Sequence, residues 1–254
     1  MLNPATAPKV LIVGCGALAR EIVALTRYLP NVDVTCLPAT LHNRPGGIPA
    51  AVRERIRRRR AGYDRVFVAY ADCGTGGLLD RVLEEEGVER LPGAHCYEFF
   101  AGRPEFARII DEEPATFFLT DFLARNFERL VIKGLGLDLH PELLTQYFGN
   151  YRRLVYLAQT DDPELVAAAR RAAARLGLEF ELRRTGYGEL ATSLATATRV
   201  SQSTNPAFGG GAEAPAARPL RVSHGRDRKR ADRSGSAPLA ARSVDSQTRA
   251  GAVT

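Results

Sequence analysis

Val66-Phe67-Val68-Ala69-Tyr70-Ala71-Asp72-Cys73-Gly74-Thr75-Gly76-Gly77-Leu78-Leu79-Asp80-Arg81-Val82-Leu83 changes character twice. The apolar run to Tyr70 reads as a buried strand, and the amphipathic run from Leu78 reads as a helix. Between them lies a glycine-rich turn that carries a carboxylate, a thiol and a hydroxyl. A second turn of the same build occurs earlier: Val10-Leu11-Ile12-Val13, then Gly14-Cys15-Gly16, then Ala17 to Ile22. A third thiol sits in Gly93-Ala94-His95-Cys96-Tyr97-Glu98-Phe99-Phe100.

Working outward, strand and helix alternate. Strands are expected at Lys9–Val13, Val32–Leu37, Arg65–Tyr70 and Val88–Leu91, with helices at Ala17–Tyr28, Pro49–Ala61 and Gly77–Glu86. A spacing of about 30 residues per unit argues for a parallel sheet. The next portion is mostly helical: Cys96–Ala101, Pro104–Glu113, Asp121–Val131 and Pro141–Phe148, with Thr116–Leu119 readable as helix or short strand. Alternation then resumes with a strand at Leu154–Ala158. A helix follows, announced by Thr160-Asp161-Asp162-Pro163-Glu164 and ending at Gly177. A last strand at Leu178–Arg183 and a short terminal helix complete the pattern. The expected fold is α/β: a Rossmann-like, doubly wound, mainly parallel sheet with a helical insertion and a disordered C-terminal tail. One domain spans residues 1–196 and the tail spans 197–254.

Of the 254 residues, 45% are hydrophobic and 25% charged, ordinary for a globular chain. The net charge of +6 is unevenly placed. From Ala197 onward there are 10 Lys and Arg against 4 Asp and Glu, and the body before it holds 25 of each. The basic excess therefore belongs to the tail, and no nucleic-acid partner is expected. The run Arg57-Arg58-Arg59-Arg60 reads as a solvated helix end. No apolar run approaches the roughly 20 residues of a membrane span, and no secretory leader is visible. A cytoplasmic protein with reduced thiols is the expectation, in which Cys serves packing, metal binding or catalysis.

In open α/β sheets, ligands bind at the carboxyl ends of the strands. Cys15 and Cys73 both follow strands there, and Cys96, His95 and His42 can reach the same edge. Three readings follow. Cys15, Cys73 and Cys96, with His95 or His42, can hold zinc or an iron–sulfur cluster, although no CxxC pair gives local support. Cys73, activated by His95 or His42, can act as a nucleophile. Small residues packing in tight turns explain the same pattern with no site at all. Gly14, Gly16, Gly74, Thr75 and Gly76 admit phosphate or nucleotide binding through backbone amides, without a Walker lysine. Asp72 and Glu98 are acid/base candidates, Asp72 being equally readable as a helix cap, and Tyr187 can close over the site. Cys36, inside a strand, reads as core, and His140 as a capping residue.

Together, Cys15-Gly16-Ala17-Leu18-Ala19-Arg20-Glu21-Ile22, Leu41-His42 with Pro45, Asp72 to Gly77 and His95 to Phe100 resemble one bacterial and archaeal family. Phe117 to Phe122, Lys133 to Asp138, Tyr147 to Arg152 and Thr185 to Gly188 extend the likeness. The family carries the domain of unknown function numbered 1638, and the resemblance covers roughly Lys9 to Leu194. It implies an association with corrinoid-dependent methyl transfer and one-carbon metabolism. The chain would then be a metalloprotein, or an accessory module for corrinoid or methyltransferase partners without turnover of its own.

Overall fold

The computed structural model describes residues 7–198. Ala197 and Thr198, expected in the tail, close the last helix, and the rest of the expected tail, with His224, lies outside the described residues. The class is α/β and every strand pairing is parallel. The strands divide between two sheets where the alternation suggested one.

The first sheet is built on β1 (Val10–Cys15), whose six residues are all buried. β2 (Val32–Leu37) and β3 (Arg65–Ala69) flank it, with Val10 opposite both Val32 and Arg65. The short β4 (Glu89–Arg90) joins the far side of β3, giving the order β2-β1-β3-β4. The crossovers are α1 (Ala19–Thr26), α2 (Ile48–Arg59) and α3 (Leu78–Glu86). Gly14 is where β1 meets its helix. A Cβ there would stand 2.6 Å from the Ile22 side chain and 3.3 Å from the Cys36 sulfur.

The arginine run is only partly a free helix end. Arg57 and Arg60 both reach Glu86, a carboxylate 5% exposed, at 2.7 and 3.4 Å. They fasten α2 to α3, Arg59 meets Tyr63, and Arg58 alone keeps the exposed role expected of the whole run. The reason is tertiary: α2 and α3 cover the same face of the sheet, and their ends converge.

α4 (Cys96–Ala101) and α5 (Arg103–Glu112) lead to the second sheet. There Thr116–Leu119 is a strand, β5, which settles the ambiguous segment. It pairs with β6 (Arg153–Ala158), which pairs with β7 (Glu179–Arg184). Between β5 and β6 run α6 (Asp121–Phe127), a π-turn (Glu128–Ile132) and α7 (Leu143–Phe148), in place of one helix to Val131 and one from Pro141. α8 (Pro163–Leu176) starts at the Asp162 cap and ends at Gly177, as the sequence indicates.

The period of two along β5 and β6 joins the halves. Phe117, Leu119, Leu154 and Tyr156 enter one core with α6 and α8. Phe118, Val155 and Leu157 face the other way into the core of the first sheet. The final helix, α9 (Gly188–Thr198), returns to pack against α1 and α4, burying Leu190 and Leu194 in that same core. No helix among the described residues is long and apolar enough to cross a membrane.

Candidate functional site

Cys15 is the last residue of β1 and is 2% exposed. Its sulfur accepts the Ala17 N–H at 3.3 Å, capping the 3-10 turn that leads to α1. Both ring nitrogens of His42 lie 3.8 Å from that sulfur. His42 comes from a 3-10 turn after β2, and its Nδ1 lies 3.1 Å from the Ala39 carbonyl. That carbonyl is an acceptor, so Nδ1 carries a proton, and Nε2 is the nitrogen left to accept from a thiol or to bind a ligand.

The electrostatics of the two groups agree. Burial pushes the Cys15 thiol up, but the His42 charge, its hydrogen bond and the Ala17 amide outweigh that and bring it below its ordinary value. Burial alone would lower His42; the Cys15 sulfur, and a hydrogen bond and charge from Cys73, lift it well above the ordinary imidazole value. Each group thus favours the charged form of the other, in a place that excludes water.

Cys73 enters from the turn after β3 and is half-buried. Its φ of +52° makes it the one non-glycine residue with positive φ among the described residues. The left-handed region costs such a residue about 1–2 kcal/mol. Glycine would adopt it freely, so the side chain is retained against its own backbone. Cys96 opens α4 and is half-buried as a residue, but its sulfur is desolvated. Burial, then the Cys73 and Cys15 charges, push that thiol well up. Cys96, from a third segment, therefore senses the charges of the other two sulfurs.

Tyr70, at the end of β3, was absent from the sequence-derived set. It is fully buried, and its ring stacks on His42 at 6.1 Å between centroids. Its hydroxyl makes no well-formed hydrogen bond. Burial and the charges of Cys15, Cys73 and Cys36 hold it well above the ordinary phenol value, so it remains a donor. It acts on the Cys15 sulfur and helps to lower that thiol, but without the geometry of a full hydrogen bond, and such incomplete pairing of a buried hydroxyl is uncommon. Residue type alone could not reveal it; a tyrosine in an apolar strand reads as core. Cys36 is core as expected, its thiol pushed up to about 12 by burial.

The remaining candidates fall elsewhere. His95 keeps company with Glu98 and Asp72 rather than the thiols, and burial lowers its pKa. The Asp72 carboxylate accepts from the Thr75 hydroxyl, from Gly76 N at 3.1 Å and from Gly77 N at 3.0 Å. Burial raises its pKa, but those donors outweigh burial and hold it below the usual carboxylate value. Asp72 thus ties its own turn, which favours the cap over the acid/base reading. Glu98 accepts from Ala94 N at 2.8 Å and lies 3.4 Å from Arg103. Gly16 is packed against the chain after β2: a Cβ would stand 2.6 Å from the Leu37 carbonyl. Gly74 faces Pro45, Gly76 is open, and Thr75 is buried with its hydroxyl accepting from Leu79 N. Tyr187 begins the turn into α9, half-buried, with its carbonyl accepting from Leu190 N. His140 stands beside Glu142 at 3.2 Å in the approach to α7.

Among the described residues, no three His, Cys, Asp or Glu side chains stand as a ready metal-ligand set. Cys15 and His42 form the nucleus of the site, and Cys73 and Cys96 border it.

No curated protein and no solved structure matches this chain. A family model matches residues 36–194, which takes in His42, Cys73, His95 and Cys96 but begins after Cys15. The chain belongs to the family described as Protein of unknown function (DUF1638).

Proposed function

We propose that this protein is a metalloprotein binding one zinc or ferrous centre, with Cys15, His42, Cys73 and Cys96 as donors. The observation that carries the reading is the Cys15–His42 pair, 3.8 Å apart and bordered by two more thiols and an incompletely bonded Tyr70 hydroxyl. The 3.8 Å between sulfur and ring nitrogen suits the chemistry. Donors at about 2.3 Å (sulfur) and about 2.1 Å (nitrogen) from a tetrahedral ion stand roughly 3.6 Å apart. The Ala39 carbonyl orients the imidazole in the manner of an outer-shell partner.

A bound ion would act as a Lewis acid and keep its thiolates unprotonated at neutral pH. The chain's own residues do the rest. Filling the site would release a proton to solvent, since a metal-bound imidazole is neutral and a metal-bound Cys15 sulfur is a thiolate. Burial of Cys15 and Tyr70 keeps water out. The link to corrinoid-dependent methyl transfer is part of the proposal and comes from the family resemblance. A thiolate-rich site suits methyl transfer, and an accessory role beside a corrinoid partner suits it equally.

The test is metal content and ultraviolet–visible absorption of protein purified without oxygen. About one metal per chain, lost in Cys15→Ser and in His42→Ala, is expected. Protein that stays metal-free after exposure to zinc, and to iron with sulfide, would sink the reading. The closeness of Cys15 to His42, which lowers the Cys15 thiol, favours a second reading, a thiol nucleophile, and moves that role from Cys73 to Cys15. Rapid alkylation of Cys15 at neutral pH in metal-free protein would support it.

A further inference from the structure

The loops that carry Cys73 and Cys96 are held from outside the site, by one guanidinium. Arg90, at the end of β4, donates from Nε and Nη2 to the two carboxylate oxygens of Asp80 on α3, at 2.5 and 2.9 Å. Its Nη1 donates to the carbonyls of Leu91 at 2.6 Å and Gly93 at 3.1 Å. The Gly93 carbonyl also accepts the Asp72 N–H at 3.2 Å, and the Ala94 carbonyl accepts the Cys73 N–H at 2.9 Å. On its other side, Ala94 donates its N–H to Glu98 Oε2, in the first turn of the helix that Cys96 opens. The segment 91–94 is thus a spine with Cys73 on one flank and Cys96 on the other. An ordinary surface ion pair uses one end of an arginine; here both ends are engaged, and the Arg90 side chain is 16% exposed.

From this arrangement we infer that Arg90, oriented by Asp80, is the positioning residue that sets Cys73 and Cys96 relative to each other. A residue in the left-handed region holds its place only where its surroundings overdetermine it. For Cys73 those surroundings are the Ala94 carbonyl and, behind it, the Arg90 fork. Arginine suits the task because its planar fork can meet a carboxylate with two donors and leave a third for carbonyls. Lysine cannot reproduce this. The functional consequence rests on the metal reading above; the geometry does not.

The experiment uses the full chain with Arg90→Gln and, as a milder variant, Asp80→Asn, whose side chain is 54% exposed. Amide hydrogen exchange is measured on metal-free protein, and zinc affinity by competition with a chromophoric chelator. Exchange at Asp72 and Cys73 is expected to rise about tenfold or more, with β1 unchanged. Zinc affinity is expected to fall about 10–100-fold, less in Asp80→Asn. Unchanged exchange at Asp72 and Cys73, or an equal rise through β1, overturns the assignment whatever the metal result. A loosened loop with undiminished zinc affinity also overturns it. If wild type and variants alike take no zinc, the metal reading falls, and the exchange result alone decides for or against Arg90.

Discussion

Cys15 and Asp121 both stand at the carboxyl end of a parallel strand, one in each sheet, and their surroundings differ. Asp121 is fully buried, and its carboxylate accepts from the Tyr156 hydroxyl at 2.7 Å, Gln159 N at 3.0 Å and the Thr160 hydroxyl at 2.6 Å. Arg125 stands 3.9 Å away, and Asp121 N donates to the Gln159 side chain at 2.7 Å. That network closes on itself and ties β5 to β6. Around Cys15, by contrast, sulfurs meet an imidazole at longer range, and the Tyr70 hydroxyl reaches the Cys15 sulfur without a well-formed bond. Equally buried polar groups thus have opposite meanings. A saturated network holds a fold together; an unsaturated one at the same kind of edge leaves bonding capacity for something else.

The comparison breaks first at Asp121. Asp121→Ala should destabilise by about 3–5 kcal/mol, since it strands buried donors, while leaving Cys15 alkylation unchanged once folded. Denaturant unfolding measures the first and peptide mass spectrometry the second. A loss under about 1 kcal/mol would mean the network is not structural. Next come the two tyrosines. Tyr156→Phe removes a bond to a carboxylate and should cost about 1.5–3 kcal/mol. Tyr70→Phe removes a hydroxyl that has only a loose contact with the Cys15 sulfur, so stability should stay within about 0.5 kcal/mol of wild type. Equal losses in the two would erase the distinction between the edges.

A smaller effect is expected at Cys73. Cys73→Gly relieves the left-handed strain but adds freedom to the unfolded chain, for a net gain of about 1 kcal/mol or less. The same variant should lose metal. A clear loss of stability would show that the thiol serves packing.

The smallest effect lies where the halves touch. Glu21 on α1 is 5% exposed, its Oε2 has no partner, and burial beside Asp121 raises its pKa. The unfolded chain releases that proton near pH 4.5, and the folded protein holds it to higher pH. Stability from this group is therefore complete below pH 4.5 and is lost as pH rises through the folded value. Glu21→Gln should match wild type at pH 4 and exceed it at pH 8 in thermal melts. Parallel curves at both pH values would remove Glu21 from the account.

Much of this was legible along the chain, because periodicity and turn residues are local. The strand, turn and helix around Cys73 and the Asp162-Pro163 start of α8 stand where their residues place them. Thr116–Leu119 was ambiguous for a physical reason: four residues that are all buried show neither period. The division into two sheets was hidden too, since strand pairing joins residues far apart and leaves no mark in either strand. At the site, residue types alone could not choose between the two imidazoles, nor find Tyr70 inside an apolar strand.

The amino-acid sequence by itself determined the α/β class, most element positions, and three thiols at strand ends and loop starts, because hydrophobic period and glycine punctuation act over a few residues. It took the packing of the segments to turn His42 rather than His95 to those thiols, to tie Asp72 into its own turn, and to leave the Tyr70 hydroxyl incompletely bonded beside Cys15. Those outcomes depend on distances of a few ångströms between segments tens of residues apart, set by how the cores pack and not by any local preference.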